Sequence, residues 1–240
     1  MIRYLSAVLA TSLVILSQSQ AKDLSPQCVK HEEHAALTFF LVDRSDKFED
    51  LSGFKSTVAA VREMVQPAER LVVGVSTARM SDVRVLLDLV RPKESIWTPK
   101  LKIRTQEKAF AGCLSEMEQV FSTQEESYPN SAIIETLSFV SKVLASDSAL
   151  TKRLVIYSDM VQNSSTLSFF AAKTVDADSV LKQVEKNRML WNLGQVDILV
   201  AGIGAHVTDQ KALQIEDFWK KYFEKSGARL KFYGPILLGG

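Results

Sequence analysis

LTFFLVDRSDKF, Leu37 to Phe48, decides how the rest of the chain is read. The apolar run Leu37 to Val42 has the pattern of a strand covered on both faces, as in a parallel sheet with helices above and below. It ends abruptly in Asp43-Arg44-Ser45-Asp46-Lys47, a cluster that cannot continue into a dry interior. Such an ending sets carboxylate and hydroxyl oxygens at a sheet edge. In open parallel sheets ligands bind at that edge, above all where strand order reverses.

Working outward, Phe54 to Val65 carries apolar residues at helical spacing and is closed by Pro67. Arg70 to Ser76 is a second strand. Val83, Val85, Leu87 and Leu89 alternate as an edge strand, with Met80-Ser81-Asp82 as the hairpin turn that leads into it. Arg91 to Lys100, with two prolines, is a loop, and Gln106 to Phe121 is helical. Ile133, Ile134, Leu137, Val140, Val143 and Leu144 form one apolar stripe, which predicts a helix capped by Asn130 or Ser131. Arg153 to Tyr157 is a strand running into Ser158-Asp159, and Val175 to Leu190 is helical. Val196 to Ala201 is a strand, Asp209 to Lys225 a helix, and Arg229 to Tyr233 a last strand. The alternation predicts an α/β domain: a three-layer α/β/α, doubly wound, mostly parallel sheet with one antiparallel edge strand.

The chain opens differently. Arg3 precedes an apolar run, Tyr4 to Leu16, followed by small residues up to Ala21. That is the pattern of a secretory signal peptide, residues 1–21, with the mature chain starting at Lys22. The run is shorter than the ~20 apolar residues of an ordinary membrane span, and an uncleaved N-terminal anchor is the alternative. Residues 22–35 form an N-terminal segment, and 36–240 one domain. Removing residues 1–21 takes away Arg3 and lowers the formal net charge from +1 to 0, which argues against a nucleic-acid binder. Export to an oxidising compartment makes a Cys28–Cys113 disulfide the natural pairing, with two buried thiols as the alternative.

Three polar clusters should converge at the strand ends: Asp43-Arg44-Ser45, Ser131 and Ser158-Asp159. Together they offer the hard oxygens that Mg²⁺, Mn²⁺ or Ca²⁺ prefer. LVVGVSTARMSDVRVLLDL and RLVIYSDM resemble the second to fourth strands of the von Willebrand factor type A (vWA) domain. That resemblance implies a metal-ion-dependent adhesion site. Asp43 and Ser45 match its first two ligands, Ser131 stands in place of its threonine, and Asp159 matches its last aspartate. Lys47 falls where a second serine is expected. An ammonium there repels a cation, so either Lys47 swings outward or the site is metal-free. The resemblance further implies a non-catalytic module that binds a protein partner, a bound cation leaving one position for an acidic side chain of that partner. With the signal peptide, this places the protein in the periplasm or outside the cell.

Simpler readings stand beside these. Asp43, Ser131 and Asp159 are also common turn and cap residues. Two further alternatives are a metal-dependent phosphoester hydrolase using Asp43 and Asp159, and a structural envelope subunit packing on neighbours through the aromatic stripe Phe218, Trp219, Tyr222 and Phe223. The stripe is at helical spacing and reads first as core. His31-Glu32-Glu33-His34 lacks the spacing of a zinc motif and reads as solvated. Gly202-Ile203-Gly204 lacks a third glycine and reads as a strand-end turn rather than a dinucleotide fingerprint. His206 is the one histidine of the domain body around which a Ser-His-Asp triad would have to be built. Asp43-Arg44-Ser45 is not the Asp-x-Asp of a haloacid-dehalogenase-like phosphatase.

Overall fold

The computed structural model describes residues 28, 33–45, 51–76, 83–123, 130–204 and 208–237. In chain order these form β1 (Ala36–Val42), α1 (Leu51–Met64), β2 (Glu69–Ser76), β3 (Val83–Val90), α2 (Lys100–Thr123), α3 (Ile133–Ser146), β4 (Thr151–Tyr157), α4 (Ala177–Lys186), β5 (Asp197–Ala201), α5 (Asp209–Lys225) and β6 (Arg229–Tyr233). The strands make one sheet in the order β3-β2-β1-β4-β5-β6, parallel except for the antiparallel β2–β3 pair. The chain winds outward from β1 in one direction through β2 and in the other through β4. The β1/β4 boundary is therefore the place where strand order reverses.

Successive side chains of a strand point to opposite faces, so the apolar run of β1 feeds two cores at once. Leu37, Phe39 and Leu41 pack with α3, α4 and α5, whereas Phe40 and Val42 pack with α1 and α2. The three-layer α/β/α architecture follows directly. The Cys28–Cys113 disulfide, with its Cα atoms 5.6 Å apart, ties the N-terminal segment to α2 within the second core.

The edge strand departs from simple alternation. Val73 pairs with Leu87 but Gly74 pairs with Val85, so Leu86 is an extra residue in β3. This bulge shifts the phase of the strand. Val85 is exposed, while Leu86, Leu87 and Leu89 all enter the α1/α2 core. Gly74 at the bulge has no room for a side chain, because a Cβ there would collide with Val83 and press on the Phe39 ring.

The aromatic stripe of α5 is interior. Phe218, Trp219, Tyr222 and Phe223 have no exposed surface, Trp219 Nε1 donates to the Met160 carbonyl at 2.9 Å, and Tyr222 OH donates to that of Met189 at 3.0 Å. The stripe is therefore spent on the core and is not a surface for packing on neighbouring subunits. His34 also departs from expectation: its Nε2 lies 2.9 Å from Asp147 Oδ2, in a largely buried contact rather than in solvent. His31 and Glu32 lie outside the described residues, as do the 1–21 segment and the hairpin turn Met80-Ser81-Asp82. Among the described residues no helix is long and apolar enough to cross a membrane.

Candidate ligand site at the strand ends

Parallel register carries the site. Val42, the last residue of β1, lies beside Val75 of β2 and Tyr157 of β4. The next residue on each strand is then Asp43, Ser76 and Ser158, all at carboxyl ends. Asp43 N–H continues the ladder, donating to the Tyr157 carbonyl at 2.9 Å. Its side chain, only 3% exposed, becomes the hub of the cluster.

Asp43 Oδ2 accepts from Ser131 Oγ at 2.6 Å and from Ser158 Oγ at 2.8 Å. Asp43 Oδ1 accepts from the Ser45 N–H at 3.1 Å and, more weakly, from Ser76 Oγ at 3.4 Å. Ser76 Oγ in turn accepts the Arg44 N–H at 3.2 Å, and Ser158 Oγ accepts the Met160 N–H at 3.0 Å. Four segments thus converge on one carboxylate. Beneath it a void of about 10 Å³, lined in part by Leu41, Thr136 and Ile156, is at the lower limit for one water.

Ser131 does not cap α3. The N-cap position is Ala132, without a side-chain cap, and the Ile134 N–H is taken by Gln162 Oε1 at 3.0 Å. Gln162 is fully buried and its Nε2 donates to Glu135 at 2.8 Å. It thereby frees the Ser131 hydroxyl for Asp43. Asn163 N–H, bonded to the Ser131 carbonyl at 2.7 Å, fixes that backbone as well.

Asp159 keeps some of the turn character expected of it. Its Oδ1 accepts the Val161 N–H at 2.9 Å, and the following Met160 takes φ +60. That left-handed conformation is uncommon for a side chain of this size and costs on the order of 1–3 kcal/mol. Trp219, bonded to the Met160 carbonyl, helps to hold it. Asp159 is 7% exposed. Burial pushes its carboxyl up to about 7, against the Val161 hydrogen bond and with help from the nearby Asp43 charge. Burial also raises the Asp43 carboxyl, outweighing the hydrogen bonds from Ser131, Ser158, Ser45 and Ser76.

A carboxyl raised in the folded state binds its proton more tightly there than in the unfolded chain. Its contribution to stability is complete below pH ~4 and is lost as pH rises through about 7. A displacement from 3.8 to about 7 corresponds to up to about 4 kcal/mol. Stability measured by urea unfolding is therefore expected to fall between pH 4 and 7, and Asp159→Asn to flatten much of that slope. An unchanged slope in the variant would place the titration elsewhere.

The structure thus brings Asp43, Ser45 and Ser131 into one hydrogen-bonded cluster and sets Asp159 close enough for its charge to be felt. Ser76 and Gln162 were not anticipated. Ser76 was legible, since it ends the strand parallel to β1 one residue after Val75. Gln162 was not, because its bond to Ile134 spans 28 residues. Lys47 and His206 lie outside the described residues, and among the described residues no group of three or more His, Cys, Asp or Glu side chains is placed to hold a metal ion. Two carboxylates with serine hydroxyls are a different donor set from that.

No known family profile matches the sequence, and no curated protein sequence does either. Among solved structures the chain is similar to the minor pilin PilB from Streptococcus sanguinis, at 7% identity and a TM-score of 0.51, over 85% of this chain and 58% of PilB. It is also similar to the conserved hypothetical protein BatB from Bacteroides thetaiotaomicron, at 10% identity and a TM-score of 0.42, over 83% and 91% of the two chains. A third likeness is to the vWF domain of the type V pili tip protein Mfa5 from Porphyromonas gingivalis, at 12% identity and a TM-score of 0.38, over 67% and 53%. This chain spans a little over half the length of PilB. At such identities the likeness is one of fold alone, and the sheet order and layers have a Rossmann-like, vWA-like topology.

Proposed function

We propose that the protein is an exported, non-catalytic vWA-like module that binds a protein partner through the strand-end face formed by Asp43, Ser45, Ser131 and Asp159. The observation that carries this reading is the convergence of the Ser76, Ser131 and Ser158 hydroxyls on the buried Asp43 carboxylate. Capping of α3 does not account for the Ser131 hydroxyl, because the Ile134 N–H is taken by Gln162. It is a preorganised set of oxygens at the switch point, where open α/β sheets bind their ligands. The fold likeness to a minor pilin accords with a role at the cell surface.

A divalent cation such as Mg²⁺ or Mn²⁺ fits this donor set. The Ser131 hydrogen is directed at Asp43, which leaves its oxygen lone pairs for a Lewis acid, and Ser45 stands beside the same carboxylate. Two adjoining carboxyls, both raised by burial, gain from any positive charge placed between them. A cation held by Asp43, Ser45, Ser131 and Asp159 would supply that charge and attract an acidic side chain of the partner. The hydroxyls donate to a carboxylate rather than to an imidazole base, which favours a scaffold over a nucleophile.

A photo-reactive residue in place of Asn130, exposed next to Ser131, is expected to capture a protein in the envelope of exporting cells. The same residue at Lys142, exposed on α3, should capture none. Asp159→Ala should abolish the capture. Equal capture at both positions, or capture indifferent to Asp159, would overturn the proposed face. A second reading is a metal-dependent phosphoester hydrolase in which Asp43 and Asp159 would hold Mg²⁺ at the strand ends. Mg²⁺-dependent turnover of p-nitrophenyl phosphate, lost in Asp159→Asn, would establish that reading instead.

A further inference from the structure

The opposite end of the sheet carries an unpartnered apolar surface of a different kind. β3 runs antiparallel to β2 and ends at Val90, opposite Arg70, so the loop into α2 lies at the amino ends of the parallel strands, remote from Asp43. Within that loop the Thr98 N–H donates to the Ser95 carbonyl at 3.0 Å, which makes Ser95–Thr98 a β-turn with Ile96 and Trp97 at its tip. Turn tips ordinarily carry Gly, Pro, Asn, Asp or Ser. Here Ile96 is 92% exposed and Trp97 86%. Leu101, in the first turn of α2, adds a third large apolar side chain at 77%, while its neighbour Ile103 is the one that turns into the core.

Charge surrounds this tip. Residues 93–104 contain four basic side chains, Lys93, Lys100, Lys102 and Arg104, against the single acidic Glu94. The net charge of this short segment is therefore +3, whereas the whole chain carries +1. All four basic residues are exposed. Leu150, 97% exposed, precedes β4 at the same end of the sheet, three strands away from β3. Leu150 lines a cavity of about 260 Å³ together with Leu144, Asn192 and Val196, whereas Ile96, Trp97 and Leu101 protrude at the turn and the start of α2.

We propose that this end docks on an anionic lipid surface, with Ile96, Trp97 and Leu101 entering the headgroup region and Lys93, Lys100 and Lys102 contacting lipid phosphates. The indole is amphipathic and settles at the membrane interface, and lysine stems cover apolar surface while their ammonium groups reach the anionic layer. A protruding apolar tip ringed by cations suits a plane better than a protein cleft. Docked in this way, the molecule holds the Asp43 face away from the bilayer.

Cosedimentation of the exported protein with phosphatidylglycerol/phosphatidylethanolamine vesicles tests this, with phosphatidylcholine vesicles as the comparison. Binding is expected to the anionic vesicles, at least tenfold tighter than to phosphatidylcholine, and to weaken in 0.5 M salt. Trp97→Ser and the double variant Lys100→Glu/Lys102→Glu should each reduce it about tenfold or more while leaving the thermal unfolding midpoint unchanged. Asp159→Ala, at the far end, should bind vesicles like the wild type. Failure to sediment with anionic vesicles would overturn the proposal in favour of an acidic protein partner, and so would sedimentation indifferent to Trp97 and to the lysines.

Discussion

Arg70→Ala is expected to destabilise the fold by about 3–5 kcal/mol, the usual cost of removing one partner from a buried ionic group. Arg70 lies on β2 and grips Asp88 of β3 with a fork, Nε to Oδ1 at 2.7 Å and Nη2 to Oδ2 at 2.6 Å. Its Nη1 reaches Asp147, just past α3, at 2.7 Å. Asp147 is buried, which pushes its carboxyl up. The Ala149 N–H, His34 and Arg70 together outweigh burial and hold it below the usual carboxylate range. One guanidinium thus joins the edge strand to the end of a helix, and Asp147 in turn bonds His34 of the N-terminal segment. Arg70→Lys should recover only part of the loss, because an ammonium cannot reproduce the fork. Arg70→Ala/Asp88→Ala should cost less than the sum of the single variants in urea unfolding at pH 7. Strict additivity would mean that the pair contributes little to the fold.

The second large effect concerns Lys47, which stands where the vWA pattern has a serine. At about 4 Å from a carboxylate, one unit of charge is worth on the order of 1–4 kcal/mol between the dielectrics of water and a protein surface. If the proposed cation site follows the vWA pattern, Lys47→Ser removes that charge from it and supplies an oxygen in its place. Affinity for Mg²⁺ or Mn²⁺ should therefore rise by a factor between about five and nearly a thousand, the fold-change that this energy represents.

Periodicity located most elements of the fold. The bounds of α5 and β6, Asp209–Lys225 and Arg229–Tyr233, were readable to the residue. β3 was legible as an edge strand but not in its phase. The bulge at Leu86 depends on how β2 and β3 register across the sheet, a relation that alternation within one strand does not encode. α2 begins at Lys100, earlier than its apolar spacing indicated, because its first turn carries the exposed Leu101 and lysines instead of a core-facing stripe.

At the site, Asp43 and Ser158-Asp159 were visible as oxygens ending apolar runs, and Ser131 as the start of a helix. The role of Ser131 was not visible. Local rules made it a cap, whereas Gln162 takes the Ile134 N–H and leaves the hydroxyl to Asp43. His34 was misread for a similar reason, since its partner Asp147 is 113 residues away. Contacts set by tertiary packing override local propensity in both cases.

The central claim is that the strand ends form a ligand site rather than a set of turn residues. Calorimetric titration of Mn²⁺ at pH 8, where Asp159 is ionised, tests it most directly in the wild type, in Lys47→Ser and in Lys47→Ser/Asp159→Ala. The account predicts that Lys47→Ser binds Mn²⁺ at least several-fold more tightly than the wild type, and that Asp159→Ala removes the gain. Absence of binding in all three proteins at millimolar Mn²⁺ would contradict it and leave Asp43, Ser131 and Asp159 as elements of the frame alone.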